Sequence, residues 1–307
     1  MGRWLPVVLG FCLLAAAPGA QIPTPAPPST PDKPFRTSID IVSITATVVD
    51  ANGGYVSGLR KEDFQVLEDG QEQAITQFMG DRVPVSVGLL LDVSDSMYGQ
   101  RIKDARAAVA NFMVELLSPD DEFFIVAFNH ASRTVVPWSH TPGEVAARLD
   151  TIHPFGGTAI YDAVTEALPL FETRNRQRAA LVVISDGADT ASDATVRDVR
   201  SALLRSDAFA YAIAIDPPDT RPINARVNPY TLRDFTDESG GRTEVVHDTA
   251  DLGAATRRIA EDLNHQYVLG FATVRKPDGQ YHSIRVKVRG EGLRVRARRG
   301  YVAWRAQ

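Results

Sequence analysis

The chain has 307 residues, enough for one large domain plus a smaller one, and its 44% hydrophobic and 23% charged content is that of a folded globular protein. A formal net charge of -5 gives no general attraction to nucleic acid. The single cysteine, Cys12, lies in an amino-terminal apolar run, so the rest of the chain supports neither a disulfide nor thiol chemistry.

Residues 1–20 read as a signal peptide: Arg3, an apolar run from about Leu5 to Ala17, and a small-residue end cut near Ala20. The run is too short to span a bilayer comfortably, which argues against an uncleaved anchor. Export follows, so the expected location is secreted or periplasmic. Residues 21–35 form a proline-rich linker; the stretch 22–34 holds six prolines and reads as an extended spacer. No later segment is apolar for about 18 residues, so no transmembrane segment is expected once the signal is removed.

Residues 36–82 alternate as an amino-terminal β unit. Ile39, Ile41, Ile44, Ala46 and Val48 precede a DANGG turn, and Phe64, Val66 and Leu67 precede an EDG turn, with Ile75 and Phe78 beyond it. Residues 83–266 change character. Apolar strands at 85–91, 123–128, 134–137, 180–185, 208–215 and 243–246 alternate with helical stretches. In the first helix Ile102, Ala105, Val109, Phe112, Met113 and Leu116 fall on one face. Further helices are expected near 142–150, 159–172, 194–205, 230–238 and 250–264. This alternation predicts an α/β fold, a doubly wound, mostly parallel sheet covered on both faces. From 267 to 307 the β pattern returns. A strand at 267–273 precedes two strands, 284–288 and 293–297, expected to form a hairpin around RGEG. The two β-rich ends are expected to pair into one small sandwich, with the α/β domain inserted between them. Arg285, Lys287, Arg289, Arg294, Arg296, Arg298 and Arg299 read as the solvated, charge-protected face of that hairpin rather than a polyanion-binding face.

The chemistry gathers at strand ends. The strand LLLD runs into DVSDS, where Asp92, Ser94 and Ser96 alternate in an extended turn and can point oxygens at one place. Asp186 follows the strand LVVIS, and Thr158 stands in the glycine loop PFGGT before a helix. In open α/β sheets ligands sit at the carboxyl ends of the strands. Taken singly, Thr158 could cap its helix and the serines could be turn residues. There is no GxSxG elbow, no GxxxxGK[ST] loop, and no zinc-ligand spacing among the six histidines. His130, His140 and His153 lie in segments able to approach the same face.

Together, DVSDS at 92–96, GGT at 156–158 and SDG at 185–187 resemble the metal-ion-dependent adhesion site (MIDAS) of von Willebrand factor type A (VWA) domains. The likeness covers about 83–266. The flanks GLRKEDFQVLEDG at 58–70 and VRARRGY at 295–301 are similar to those of a bacterial secreted group with a related domain. The resemblance implies a Rossmann-like fold in which the strands ending at Asp92 and Asp186 are neighbours. It implies a metal site of Asp92, Ser94, Ser96, Thr158 and Asp186, with no catalytic residues, holding Mg²⁺ (Mn²⁺ or Ca²⁺ as alternatives). The implied role is adhesion-type binding of another protein, or a second copy of the chain, through an exposed Asp or Glu. A structural envelope protein with a vestigial site and a metal-dependent hydrolase are the competing readings. Asp95 departs from the family's usual Gly, and is expected to face solvent. Asp162 and Asp189 are expected to cap helix starts or loops, and Asp216 to end its strand.

Overall fold

The computed structural model describes residues 40–303, other than 81, 187, 217–228, 274 and 276–277. The expected signal peptide and proline-rich linker lie outside the described residues.

Four strands come first: β1 (Asp40–Val49), β2 (Phe64–Glu68), β3 (Gln71–Gln73) and β4 (Ile75–Met79). The α/β segment runs β5 (Val85–Asp92), α1 (Gln100–Asn111), β6 (Glu122–Phe128), β7 (Ser132–Ser139), α2 (Val145–Asp150) and α3 (Ile160–Ala167). It continues β8 (Arg178–Ser185), α4 (Val196–Arg205), β9 (Phe209–Ile215), α5 (Pro229–Ser239), β10 (Thr243–Val246) and α6 (Leu252–Asn264). The chain ends with β11 (Gln266–Thr273), β12 (Tyr281–Val288), β13 (Arg294–Ala297) and β14 (Gly300–Val302).

The central sheet has the order β10-β9-β8-β5-β6-β7, parallel throughout except for β7 against β6. Every residue of β5, β6, β8 and β9 is buried, which is why these strands read as continuous apolar runs. Alternate strand residues feed two cores. Val87, Leu89, Leu91, Val182 and Ile213 pack with α1, α2 and α6. Leu90, Val126, Leu181, Val183 and Ala212 pack with α3, α4 and α5 on the opposite face. The doubly wound α/β architecture expected from the sequence is therefore present. In α1 the buried residues are Ile102, Ala105, Ala108 and Val109, with Phe112 and Met113 buried just beyond it.

Two four-stranded antiparallel sheets, β13-β1-β11-β4 and β14-β12-β2-β3, share a third core. Strands from the two ends of the chain interleave: β1 lies between β13 and β11, and β2 pairs with β12. Ile44, Ala46, Val48, Leu269 and Phe271 face Phe64, Val66, Ile284 and Val286 across that core.

One expected pairing is corrected. β12 and β13 are not a hairpin: β12 pairs with β2 and β14, whereas β13 pairs with β1 in the other sheet. The RGEG segment arches from one layer to the other, using positive φ at Gly290 and Gly292. Alternating burial reports which side of a strand faces the core, and an arch satisfies it as well as a hairpin does. The basic tail is corrected in part as well. Arg285 and Lys287 are exposed, but Arg298 is buried and donates to the carbonyls of Leu204, Ser206 and Gly300, and Arg296 bonds Asp262.

The chain enters the central sheet at the start of β5 and leaves it after α6, with only His265 before β11. Both crossings lie at the amino-terminal edge of the parallel strands. The carboxyl-terminal edge, where Asp92 and Asp186 emerge, is thereby left on the far side from the sandwich.

Candidate metal centre

β5 and β8 are parallel neighbours with Leu91 opposite Ile184, so Asp92 and Asp186 emerge side by side. Asp92 is fully buried. Its Oδ1 accepts from the Ser94 N–H at 2.8 Å, and its Oδ2 accepts from Ser185 Oγ at 2.5 Å. Burial pushes its carboxyl from an ordinary 3.8 up to about 6; the bonds from Ser185 and Ser94 oppose the shift, and the nearby Asp186 charge adds to it.

Past Asp92 the chain makes a 3-10 turn at Asp95–Met97, which aims both serines inward. Ser94 Oγ and Ser96 Oγ lie 3.0 Å apart, and Ser96 Oγ donates to Asp186 Oδ1 at 2.6 Å. Asp186 is fully buried, and its Oδ2 accepts from Arg101 Nη1 at 3.0 Å. Four of the five candidate residues thus share one hydrogen-bonded network. The loop that precedes Thr158 is tied to the same turn: Asp95 N–H donates to the Gly156 carbonyl at 3.0 Å, and Phe155 N–H to the Val93 carbonyl at 2.9 Å. The Thr158 side is braced in turn by Thr190. Thr158 N–H donates to Thr190 Oγ1 at 3.1 Å, and the Thr158 carbonyl accepts from the N–H of Thr190 and Ala191.

The neighbouring carboxylates have other duties. Asp189 Oδ1 accepts from the Ile160 N–H at 2.8 Å and the Tyr161 N–H at 3.3 Å, capping the start of α3. Asp162 holds the N–H groups of Asp193 and Ala194. Asp95 is exposed, and Asp216 follows the end of β9, where its N–H donates to the Val246 carbonyl. Of the three histidines, His130 follows β6 and packs edge-on against Phe155 on this side. His153 is exposed in the loop before Phe155. His140 sits in a loop at the opposite edge, its Nδ1 2.8 Å from the Asp121 carbonyl oxygen. The antiparallel course of β7 carries the chain back there, a direction the spacing of histidines does not reveal.

Sequence reasoning missed Ser185, which holds Asp92, and Arg101, which holds Asp186. A hydroxyl directly before Asp186 was a usable signal for the first. For the second, the signal was a cation in the opening turn of α1.

The donors gathered here are hydroxyl and carboxylate oxygens, a set that suits a hard cation such as Mg²⁺. Among the described residues no group of three or more His, Cys, Asp or Glu side chains is placed to hold a metal. A cation at this edge would therefore depend on the serine and threonine hydroxyls and on water as well as on two carboxylates.

Residues 87–188 match the family model described as von Willebrand factor type A domain. The chain is 27% identical over 201 residues to inter-alpha-trypsin inhibitor heavy chain H2 of Mus musculus, covering 60% of this chain and 20% of the relative. The heavy chain H4 of Bos taurus is 29% identical over 123 residues, covering 36% and 13%. The chain thus spans a fifth or less of the length of these relatives. Among solved structures, a von Willebrand factor type A protein from Catenulispora acidiphila aligns with TM-score 0.52 at 15% identity, covering 87% of this chain and 75% of that one. The PilB minor pilin from Streptococcus sanguinis aligns with TM-score 0.50 at 12% identity, covering 61% and 63%; at such identities the likeness is one of fold. Over residues 87–188, from β5 to just past β8, the chain matches the von Willebrand factor type A domain, a type that typically serves protein interaction or adhesion.

Proposed function

We propose that the chain is an exported adhesion-type binding module that takes Mg²⁺ at Asp92, Ser94, Ser96, Thr158 and Asp186 and through it engages an acidic side chain of a partner protein. The observation that carries this reading is the hydroxyl–carboxylate relay from Ser94 through Ser96 to Asp186, set beside buried Asp92 at the carboxyl-terminal edge of the sheet. Bound Mg²⁺ would supply a Lewis-acidic coordination position open to a carboxylate. The chain's own residues would orient it: Ser185 fixes Asp92, and Thr190 fixes the loop of Thr158. Mn²⁺ and Ca²⁺ are the alternative ions.

The surroundings support a binding role. Tyr98 is 79% exposed and Phe155 57% exposed on the two loops that flank the oxygens, and exposed aromatics of this kind are enriched at protein interfaces. Among the described residues no helix is long and apolar enough to cross a membrane.

Titration calorimetry with Mg²⁺ and Mn²⁺ tests the proposal. Asp186→Ala and Ser96→Ala are expected to lose metal binding while the circular dichroism spectrum stays that of wild type. Wild-type-like metal binding by both variants would remove these residues from the site. Absence of any metal heat or metal-dependent thermal shift in the wild type would favour the vestigial reading instead.

A further inference from the structure

The sandwich is open along one side. β12 pairs with β14 over Tyr281–Ser283 and with β2 over Ile284–Val288. Among the described residues no strand covers the other edge of β12 from Arg285 onward. Alternate residues of an antiparallel strand turn their backbone groups to opposite edges. The Ile284 N–H points away from β2, to the Arg299 carbonyl at 2.7 Å. By that alternation the N–H and C=O groups of Val286 and Val288 point to the uncovered edge too. β13, the outermost strand of the other sheet, lies across from it, and the RGEG arch joins the two strands at one end. Between them runs a groove of about 610 Å³ whose walls include Arg285, Val286, Val295 and Ala297. Packed sheets lie about 10 Å apart, so a strand added to β12 would extend its own layer and leave β13 in place.

The cations beside this edge lack partners. Arg285 and Lys287 stand exposed on the outer face of β12. Opposite them on β2 are Leu67 and Gln65, neither of them acidic. Among the described residues neither cation has a hydrogen bond or an ion pair. The nearby carboxylates are engaged elsewhere. Glu72 accepts from Gln65 Nε2 at 2.8 Å. Asp69 lies 2.8 Å from His282 Nδ1 and accepts from the Ser283 N–H at 2.9 Å, and Asp237 is 3.9 Å from Arg299. An uncovered edge is a template for pairing with another chain, and cations on it discourage pairing with its own kind. They attract an acidic strand. We propose that the uncovered edge of β12 takes an extended segment of a partner protein as an added strand, in which acidic residues alternate with small aliphatic ones. Side chains that share a face on neighbouring strands stand about 5 Å apart, so outward carboxylates meet Arg285 and Lys287. Inward side chains fall on the apolar wall of Val286, Val295 and Ala297. The backbone of Val286 and Val288 supplies the ladder bonds, and the flanking side chains select the sequence. This surface belongs to the sandwich and does not depend on the metal reading.

The test uses the full chain in chelator and a capped, fluorescent peptide of alternating glutamate and valine, followed by anisotropy. Wild type is expected to bind this peptide, less tightly as sodium chloride is raised, and not to bind the lysine–valine counterpart. Arg285→Gln combined with Lys287→Gln should weaken binding about tenfold while the melting temperature stays that of wild type, because both side chains are exposed. Two further peptides, N-methylated at one or the other set of alternate residues, separate strand addition from simple charge attraction. One of them blocks the edge that faces β12 and should lose about tenfold or more in affinity; the other should bind like the parent. No binding by wild type up to about 1 mM peptide overturns the proposal and leaves the cations as guards of the edge. Equal binding of both N-methylated peptides, unchanged affinity in the double variant, or equally tight binding of single-stranded DNA of the same charge overturns it as well.

Discussion

Burial holds the Asp92 carboxyl near 6, about two units above its ordinary 3.8, and the sign of the consequence follows. Below both values the group is neutral in folded and unfolded chains alike. Between them the folded chain keeps a proton that the unfolded chain releases, so the metal-free fold loses stability as pH rises through about 6. The full loss corresponds to about 3 kcal/mol. Asp92→Asn removes the titration while preserving the shape. In chelator its melting temperature should climb relative to wild type between about pH 4 and pH 6, the interval in which only the unfolded chain has released the proton, and level off above it. Mg²⁺ should then raise the melting temperature of wild type and not of the variant. A difference between the two proteins that stays flat with pH would mean that Asp92 titrates as an ordinary surface carboxylate. The same residue shows what the sequence carries. Asp92 and Asp186 are legible because each ends an apolar run, and run ends in a parallel sheet face one edge. Ser185 and Arg101 are harder, since a hydrogen bond across 93 residues and an ion pair across 85 depend on which strands are neighbours.

Among the elements, β5 shows a constraint that hydrophobic patterning hides. Its one glycine, Gly88, sits in a fully buried central strand, where glycine ordinarily weakens a sheet. A Cβ there would stand 2.3 Å from Phe124 Cζ and 2.9 Å from Phe171 Cζ. Those two rings meet edge-on at 5.2 Å, and Trp138 meets Phe124 in the same manner at 4.8 Å. The glycine is the space that this aromatic cluster occupies. Gly88→Ala should therefore destabilise the fold by about 1–3 kcal/mol, read as a lower urea midpoint with an unchanged slope. A variant as stable as wild type would show that the rings can move aside. Period and run length placed the strands of the central sheet to within a few residues, typed α1 by its apolar face and located the stretches of α2 to α6. They did not identify neighbours. The β12–β13 arch was misread as a hairpin because Val286 and Val295 point into one core from opposite sheets.

For the whole molecule, the question is how firmly the VWA segment is held to its sandwich. The last helix of the segment carries a fully buried carboxylate, Asp262, that faces outward to the other layer. It accepts from Thr47 Oγ1 of β1 at 2.8 Å and from Arg296 of β13, and Arg242 lies 3.8 Å away. Just past Asp262, Leu263 and Gln266 meet Arg178 from the start of β8, which is buried and bonds the carbonyls of Val83 and Leu263 and the side chain of Gln266. Burial lowers the Arg178 pKa to about 10, which still leaves it charged at neutral pH. Charge removed on one side of such a contact strands its partners away from water, at a cost of about 3–5 kcal/mol. Asp262→Ala should thus destabilise the protein by that order, whereas Asp262→Asn, which can still accept from Thr47 and Arg296, should lose less. The shape of the transition is the sharper readout. Wild type is expected to unfold in urea in one step, because α6 runs into β11 with a single residue between and both layers share this polar junction. With Asp262→Ala the tie from α6 to β1 and β13 is cut while each hydrophobic core is intact. The expected outcome is two separable steps, one followed by the near-ultraviolet signal of Trp138 in the central sheet and the other by proteolysis within the sandwich strands. A single coincident transition in that variant would show that the α6–β11 connection, with the Arg178 and Arg298 contacts, makes the two parts one cooperative unit without Asp262.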